Sequence, residues 1–217
     1  MELEVKFLLS QPGAFLERLQ TLGATLKSPR VYESNLRFDT PDRALTKSYQ
    51  VLRLRQDARV RVTYKGPGNL EGGVRARQEI EFGVDNFEAA KATFEALGYE
   101  VSFVYEKYRT TYQFFVGSDD FSRSQATEVA TTSKAVEIVF DETPLGTFTE
   151  IEGPDADSIQ TAAHRLGLDW AARINDSYVY LFEKAKLALG LPARDLTYEN
   201  FREVVVTPQV MGIRFGD

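Results

Sequence analysis

The first residues of the chain combine two carboxylates and an ammonium group at alternating positions. In the segment Glu2-Leu3-Glu4-Val5-Lys6, single apolar residues separate the charged ones. Because successive side chains of a β-strand point to opposite faces, Glu2, Glu4 and Lys6 would project from the same side. Carboxylates hold divalent cations and an ammonium group binds phosphate oxygens, so this face suits metal-dependent phosphate chemistry. A solvent-exposed strand shows the same pattern, and the signal therefore depends on whether other strands repeat it.

Several later segments also place charged residues on one face, and together these faces hold both signs. The residues that share a face in each segment are Arg53 and Arg55; Arg59, Arg61 and Lys65; Arg75, Arg77, Glu79 and Glu81; Lys107 and Arg109; Glu137 and Asp141; and Glu150 and Glu152. Apolar residues occupy most of the alternate positions between them. Each of these predicted strands therefore has one apolar face and one charged face.

The charges lie on strand-like segments that are interspersed with helical ones. Strand periodicity covers the opening segment and residues 31–39, 50–55, 59–65, 74–82, 104–115, 135–141 and 147–152. Apolar stripes at helical spacing cover residues 15–22, the segment between Asn86 and Gly98, a segment that starts at Asp157 or Ser158, and residues 177–189. This order predicts an antiparallel α+β domain over residues 1–190, with a polar loop at 117–134. A tail, residues 191–217, is predicted to pack on the domain.

The composition excludes several kinds of site and partner. The 217 residues include no cysteine and one histidine, which excludes thiolate sites and His-rich zinc sites and leaves oxygen-ligated magnesium, manganese or calcium. The net charge of −6 argues against general binding of nucleic acids. No apolar run approaches the roughly 20 residues of a membrane span and no secretory signal precedes the first strand, so a cytoplasmic protein is expected.

Strands with one charged face fit two arrangements. In an ordinary sheet, the charged face would be exposed and neighbouring strands would form salt bridges. In the other arrangement, helices cover the apolar strand faces from outside and the charged faces line an interior cavity. A charged interior is costly unless its charges pair or bind ions, and a triphosphate with divalent cations meets this requirement. We favour the cavity, because the helical stripes also need an apolar partner.

The order of the motifs resembles that of the CYTH superfamily, also called the triphosphate tunnel metalloenzymes. The matching segments are residues 2–6 (ELEVK, resembling ExExK), 37–41 (RFDTP, resembling YFDT with Arg where Tyr is usual), 52–55 (LRLR, resembling LRxR), 63–67 (TYKGP, a lysine strand), 77–81 (RQEIE, resembling RxExE), 106–109 (EKYR, resembling KxR) and 140–152 (FDETPLGTFTEIE, resembling LDxxxxLGxFxExE). Residues 177–178 resemble the start of the family's closing helix. ExExK alone is too short to identify the family. The ordered series of matches over about residues 1–185 is specific.

The resemblance implies an eight-stranded antiparallel β-barrel, open as a tunnel, with helices packed on its outside. It also implies that the interior binds triphosphate compounds with Mg²⁺ or Mn²⁺. By the family pattern, the metal-binding carboxylates would be Glu2, Glu4, Glu150 and Glu152, and the phosphate-binding residues would be Lys6, Arg53, Arg55, Lys65, Lys107 and Arg109. Glu2, Glu4, Lys6 and the motif aspartate Asp141 would be catalytic, and Glu79, Glu81 and (on parity alone) Glu137 would complete the acidic lining.

The leading hypothesis is metal-dependent hydrolysis of a terminal phosphoanhydride in tripolyphosphate, thiamine triphosphate or a nucleoside triphosphate. Basic side chains would neutralise the phosphates, and a carboxylate-held cation would lower the pKa of the attacking water, so that no histidine base is needed. The alternative enzyme is a class IV adenylate cyclase, which makes cyclic AMP and pyrophosphate from ATP. Its charged tunnel would be the same.

Two hypotheses without catalysis fit the sequence less well. A non-catalytic polyphosphate-binding module needs mainly the bases, whereas this chain keeps its acidic positions too. An RNA-binding sheet would carry aromatic residues on its basic face, but Tyr64 and Tyr108 have the opposite parity from their neighbouring bases. The expected partner is a small-molecule triphosphate, with no nucleic acid and no membrane, and the expected assembly is a monomer or a homodimer.

Overall fold

Eight antiparallel strands form a closed barrel. The computed structural model describes residues 2–117 and 134–217. The strands are β1 (Glu2–Leu8), β2 (Thr25–Asp39), β3 (Val51–Gln56), β4 (Val60–Glu71), β5 (Val74–Val84), β6 (Glu100–Val116), β7 (Lys134–Thr143) and β8 (Gly146–Glu152). Their order around the barrel is β1-β5-β4-β3-β2-β6-β7-β8, and β8 pairs with β1. The predicted eight-stranded antiparallel barrel is therefore confirmed.

The helices lie between strands and after the last strand. They are α1 (Pro12–Thr21), α2 (Ala44–Lys47), α3 (Phe87–Ala96), α4 (Ala156–Arg165), α5 (Tyr178–Leu189) and α6 (Pro208–Met211), with a 3₁₀ turn at Trp170–Ala172. The predicted start of α3 is confirmed, since Asn86 Oδ1 accepts a hydrogen bond of 2.9 Å from the backbone N–H of Ala89. Helix α5 ends at Gly190, where a φ of 64° favours glycine.

The apolar faces of the strands point out of the barrel and are covered by helices. Val5 of β1 is buried in one cluster with Leu19 of α1 and Ile159 of α4. Leu54 of β3 is buried in another, against Phe94 of α3. Burying one such side chain contributes about 1.5–3 kcal/mol, so the helices fix which face of each strand points outward. The charged faces, of opposite parity, line the interior.

Helix α5 covers one end of the barrel. At this end the inward-facing positions change from charged to apolar, at Leu8, Phe103 and Phe148. These side chains pack in one cluster with Phe182 of α5, whose ring centroid lies 5.2 Å from that of Phe103. Three residues of the C-terminal segment join the same cluster: Leu196, Phe201 and Met211. The opposite end of the cavity is bordered by exposed side chains and opens to solvent.

Strand length and two short helices differ from the sequence predictions. Strand β2 begins at Thr25 rather than at residue 31, because register shifts between Leu26 and Val31 interrupt its alternation. Helices α2 and α6 are too short to produce a periodic stripe. The loop predicted at 117–134 falls outside the described residues except at its ends, where Lys134 begins β7. Within the described residues, no helix is long and apolar enough to cross a membrane.

Candidate active site

A charged cavity of about 780 Å³ occupies the barrel interior. Nine acidic side chains and twelve basic ones line it, the basic ones being Lys6, Lys27, Arg30, Arg37, Arg53, Arg55, Arg59, Arg61, Lys65, Arg77, Lys107 and Arg109. This basic excess contrasts with the net charge of −6 for the whole chain. The cavity therefore suits a small anionic ligand, and its volume is typical of small-molecule sites.

Three of the carboxylates predicted to bind metal lie close together. One oxygen atom from each of Glu2, Glu4 and Glu152 lies within 4.8 Å of the other two. Strand β1 supplies two of them at successive inward positions, and the pairing of β1 with β8 sets Glu152 opposite Glu4. Burial raises the pKa of Glu152 to about 7; Arg109 opposes this shift, whereas the negative charges of Glu150, Glu4 and Glu2 add to it. A divalent cation would relieve their repulsion, and an all-oxygen donor set of this kind fits Mg²⁺ or Mn²⁺.

The fourth predicted metal ligand, Glu150, lies among the bases instead. Its carboxylate is 2.9 Å from Lys6 Nζ and also accepts a hydrogen bond from Arg109. Burial opposes ionisation, but Lys6 and Arg109 hold the pKa of Glu150 well below its usual range. The structure thus brings together three of the four predicted metal ligands and places the fourth in a separate ion-paired group.

Asp141 does not line the cavity but lies fully buried behind two of the bases. Its Oδ2 accepts hydrogen bonds from Lys107 Nζ at 2.8 Å and from the Tyr178 hydroxyl at 2.9 Å. Its Oδ1 accepts one of 2.7 Å from Arg109 Nε. Charge-assisted hydrogen bonds are short and directional, so Asp141 fixes the orientation of Lys107 and Arg109 rather than meeting a ligand in the cavity.

Two bases connect the acidic group to the rest of the lining. Lys65 Nζ lies 2.7 Å from Glu2 and 3.0 Å from Glu79. The guanidinium of Arg77 lies 3.3 Å from Glu2 and 3.1 Å from Glu4. These contacts follow from the strand register, which sets Glu2 opposite Arg77 and Lys65 opposite Glu79. A phosphate bound by these bases would therefore lie next to a cation held by the carboxylates.

The other wall of the cavity is built around Arg53 and Arg55. Arg53 donates hydrogen bonds to the Tyr105 hydroxyl at 3.1 Å and to Thr63 Oγ1 at 3.0 Å. Arg55 donates one of 3.1 Å to Glu33. Although burial opposes ionisation, the surrounding Lys and Arg side chains lower the pKa of Glu33 to about 2. Both arginines are therefore held in place with their charge retained.

Every side chain that the sequence predicted for the site lines the cavity except Asp141. Among the supporting acids, Glu79 and Glu81 lie on β5, with Glu81 3.5 Å from both Arg53 and Arg55. Glu137 lies towards the open end, where it pairs with Lys27.

Several lining residues were not predicted as part of the site: Glu33, Arg37, Arg77, Tyr105 and Tyr178. Strand alternation in β2 and in β6 carries the signal for Glu33, Arg37 and Tyr105. Arg77 belonged to a charged face but was assigned no role. Tyr178 lies in the first turn of α5, and strand parity gives no information about which helical residue meets the cavity.

Comparison with known proteins supports this fold. The model of the CYTH domain family matches residues 1–171. A structure from Vibrio parahaemolyticus named a "putative adenylate cyclase" has a TM-score of 0.67 and 23% identity, over 84% of this chain and 97% of that chain. A Pyrococcus horikoshii OT3 protein has a TM-score of 0.64 and 22% identity, over 85% of this chain and 99% of that one.

A third similar structure is that of a "putative adenylyl cyclase" from Hippeastrum with a dominant triphosphatase activity. Its TM-score is 0.57 with 19% identity, over 84% of this chain and 95% of that chain. At such identities these likenesses show the fold alone. No curated protein matches the chain significantly.

Proposed function

We propose that this chain, which belongs to the CYTH domain family, is a metal-dependent hydrolase of small triphosphates. One observation carries the proposal: within one cavity, basic side chains directly contact a group of carboxylates that could hold a metal ion. Lys65 and Arg77 both contact Glu2, which belongs to the group formed with Glu4 and Glu152. A phosphate chain with a divalent cation supplies both of the charges that this arrangement requires.

The basic side chains would bind and neutralise the phosphate chain. The residues assigned to this role are Lys6, Arg53, Arg55, Lys65, Lys107 and Arg109, all of which line the cavity. Arginine in particular matches the geometry of phosphate oxygens by donating two parallel hydrogen bonds. Because these donors are held in place by ion pairs, they are already oriented when charge develops on the phosphoryl group.

The carboxylates of Glu2, Glu4 and Glu152 would hold Mg²⁺ or Mn²⁺. When bound, the cation neutralises phosphate charge and activates water at neutral pH. We assign Glu150 and Asp141 to positioning. Glu150 holds Lys6 and Arg109, whereas Asp141 holds Lys107 and Arg109 from behind the cavity wall.

The lining favours hydrolysis over cyclisation. Among the described residues, the aromatic side chains that line the cavity are Tyr105 and Tyr178. Both are buried, and their hydroxyls are bonded to Arg53 and Asp141. Neither presents a free ring face to an adenine base, which a cyclase must position relative to the α-phosphate. The activity stated for the Hippeastrum protein is consistent with a chain of this fold acting mainly on the phosphoanhydride.

The test is a product assay over substrates and metals. The protein is incubated with tripolyphosphate, thiamine triphosphate and ATP, each with Mg²⁺ or Mn²⁺, and phosphate, pyrophosphate and cyclic AMP are measured separately. We expect phosphate release that stops with EDTA. Cyclic AMP with pyrophosphate would identify the cyclase instead, and tight binding without any product would identify a non-catalytic module.

A pair of matched variants ties the activity to the cavity. Glu4→Gln removes one charge from the carboxylate group and is expected to lower metal-dependent turnover at least about 100-fold. Glu17→Gln makes the same chemical change on the exposed face of α1 and is expected to retain full activity. Full turnover by Glu4→Gln would show that the site assignment is wrong.

A further inference from the structure

Of the twelve basic side chains in the cavity lining, ten pair with a carboxylate of the described residues. The ten ion pairs join Lys6 to Glu150, Lys27 to Glu137, Arg30 to Glu142, Arg53 to Glu81, Arg55 to Glu33, Arg61 to Asp57, Lys65 to Glu2, Arg77 to Glu2, Lys107 to Asp141 and Arg109 to Asp141. The two exceptions within the described residues are Arg37 and Arg59. Arg59 is exposed and water can solvate it, whereas Arg37 is partly buried.

Arg37 lies at the end of the cavity that α5 covers. On β2 it pairs in register with Arg53 of β3 on one side and with Phe103 of β6 on the other. Phe103 packs against Phe182 of α5, which places this level of the barrel next to the covering helix. Arg37 is therefore remote from the open end, where the exposed bases lie.

The nearest acid along the strand, Asp39, raises the pKa of Arg37 but forms no ion pair with it, because its carboxylate is bonded to other groups. Asp39 accepts hydrogen bonds from the backbone N–H groups of Thr40, Leu45 and Thr46 and from the Thr46 hydroxyl. Its bonds fix the turn into α2 instead of reaching the cavity. No other described carboxylate pairs with Arg37.

The surroundings of Arg37 disfavour its charge. Burial has the largest effect on the pKa of Arg37 and lowers it; Tyr105 and Asp39 oppose this shift, whereas the positive charges of Arg77 and Arg53 add to it. The side chain nevertheless remains a cation, because the ordinary pKa of arginine is far above neutrality. A partly buried cation without an ion-pair partner is unfavourable, and an anion placed beside it would remove that cost.

We propose that Arg37 is a specificity-determining residue that binds the phosphate group lying deepest in the cavity, at the end covered by α5. This inference rests on the proposed function. The guanidinium would donate two hydrogen bonds to the oxygens of that phosphate. Because α5 and the apolar cluster of Phe103 and Phe182 close this end of the barrel, the phosphate that reaches Arg37 would be the unesterified terminal one. Any organic group of the substrate then lies towards the open end. The motif that residues 37–41 resemble usually has Tyr at this position.

The test measures binding of tripolyphosphate by isothermal titration calorimetry with EDTA present, so that turnover does not occur. Charge-assisted hydrogen bonds of this kind correspond to about a 10-fold change in affinity or more. Arg37→Gln is therefore expected to raise the Kd for tripolyphosphate at least about 10-fold, and Arg37→Lys, which keeps the charge, to raise it less. Arg59→Gln is the matched control and is expected to change the Kd less than about 3-fold, because its side chain is already solvated.

The specificity is tested with a triphosphate that has no terminal phosphate. Diadenosine triphosphate is esterified at both ends, so the wild-type protein is expected to bind it far more weakly than ATP. Arg37→Gln is expected to weaken ATP binding and to leave diadenosine triphosphate unchanged. The ratio of the two affinities therefore falls in the variant.

The outcomes separate this inference from the proposed function. If the wild-type protein binds no tripolyphosphate with or without Mg²⁺, the proposed function fails. If the wild-type protein binds it and Arg37→Gln binds it equally well, the role of Arg37 is wrong and the proposed function stands. Removal of an uncompensated cation is expected to leave the thermal midpoint of the unliganded protein unchanged or higher. If Arg37→Gln fails to fold, the Kd of Arg37→Lys is used instead. An unaltered Kd in Arg37→Lys would overturn the proposal that Arg37 donates two hydrogen bonds to the terminal phosphate.

Discussion

The buried carboxylate of Asp141 accepts a hydrogen bond of 2.9 Å from the hydroxyl of Tyr178. This contact joins strand β7 to the first turn of α5, the helix that covers one end of the barrel. The same carboxylate oxygen also accepts a hydrogen bond from Lys107. The covering helix and the phosphate-binding wall are therefore coupled through a single buried acid.

Removing the hydroxyl of Tyr178 tests this coupling. In Tyr178→Phe the ring still fills its site, but Asp141 loses one of its donors. We expect the free energy of unfolding to fall by about 1 kcal/mol and KM for tripolyphosphate to rise several-fold, with a smaller change in kcat. Steady-state kinetics and urea denaturation measure both effects. Tyr180→Phe, on the exposed side of the same helix, is the control and is expected to change neither.

Neutralising Asp141 is expected to have a larger effect. In Asp141→Asn, Lys107 and Arg109 lose the negative charge that holds them, and the amide NH₂ group faces at least one cation. Breaking a buried ion pair by removing one partner typically lowers stability by about 3–5 kcal/mol. We expect a loss of this order by urea denaturation, together with a large rise in KM. If this variant is as stable as the wild type, the buried ion pairs of Asp141 with Lys107 and Arg109 do not stabilise the fold.

The ion pairs of Glu150 with Lys6 and Arg109 predict that two neighbouring carboxylates on β8 have different roles. Glu152→Gln removes a member of the proposed metal group and is expected to weaken Mn²⁺ binding at least about 10-fold. Glu150→Gln is expected to change Mn²⁺ affinity less than about 3-fold while lowering activity, because Lys6 and Arg109 lose their partner. Electron paramagnetic resonance titration of Mn²⁺ measures the affinities directly. Equal weakening in both variants would show that all four predicted carboxylates bind the metal.

The inward and outward faces of the barrel could be predicted from sequence because they depend only on alternation. Val5 and Leu54 point out of the barrel and pack against the helices that cover it. Lys6 and Arg55, at the alternate positions of the same strands, point into the cavity. Alternation determines the face of a strand but not the depth of a side chain on that face. Asp141 shares the parity of Glu137, yet it is covered by the bases of β6 and does not reach the cavity.

Contacts between strands that are distant in sequence could not be predicted in this way. Glu150 and Glu152 lie on one face of one strand, and only the register with β1 decides that Glu152 lies opposite Glu4 and Glu150 opposite Lys6. The contact between α5 and the cavity could not be predicted from the sequence either. Its apolar stripe predicts burial, but whether Tyr178 contacts the strands or solvent depends on how the helix crosses the end of the barrel.

The carboxylate of Glu152 predicts an unusual dependence of stability on pH in the metal-free protein. Burial and the adjacent carboxylates raise the pKa of Glu152 from an ordinary value of 4.5 to about 7. Between these pH values the folded state binds more protons than the unfolded state, so the free energy of unfolding falls as the pH rises. Glu33 and Glu150 have lowered pKa values, so they stabilise the folded protein fully once the pH is above the pKa of an unfolded glutamate. Between pH 5 and pH 7 their contribution is therefore nearly constant and does not change how stability depends on pH.

The decrease between pH 5 and pH 7 is expected to be on the order of 2–3 kcal/mol, measured by urea denaturation in EDTA. In Glu152→Gln the side chain no longer titrates, so this fall is expected to disappear. A divalent cation requires the ionised carboxylate, and saturating Mg²⁺ is therefore expected to stabilise the wild-type protein more at pH 7.5 than at pH 5.5. The same fall in Glu152→Gln as in the wild type would assign the titration to another group. It would also remove the electrostatic argument for a cation between Glu152 and the two carboxylates of β1.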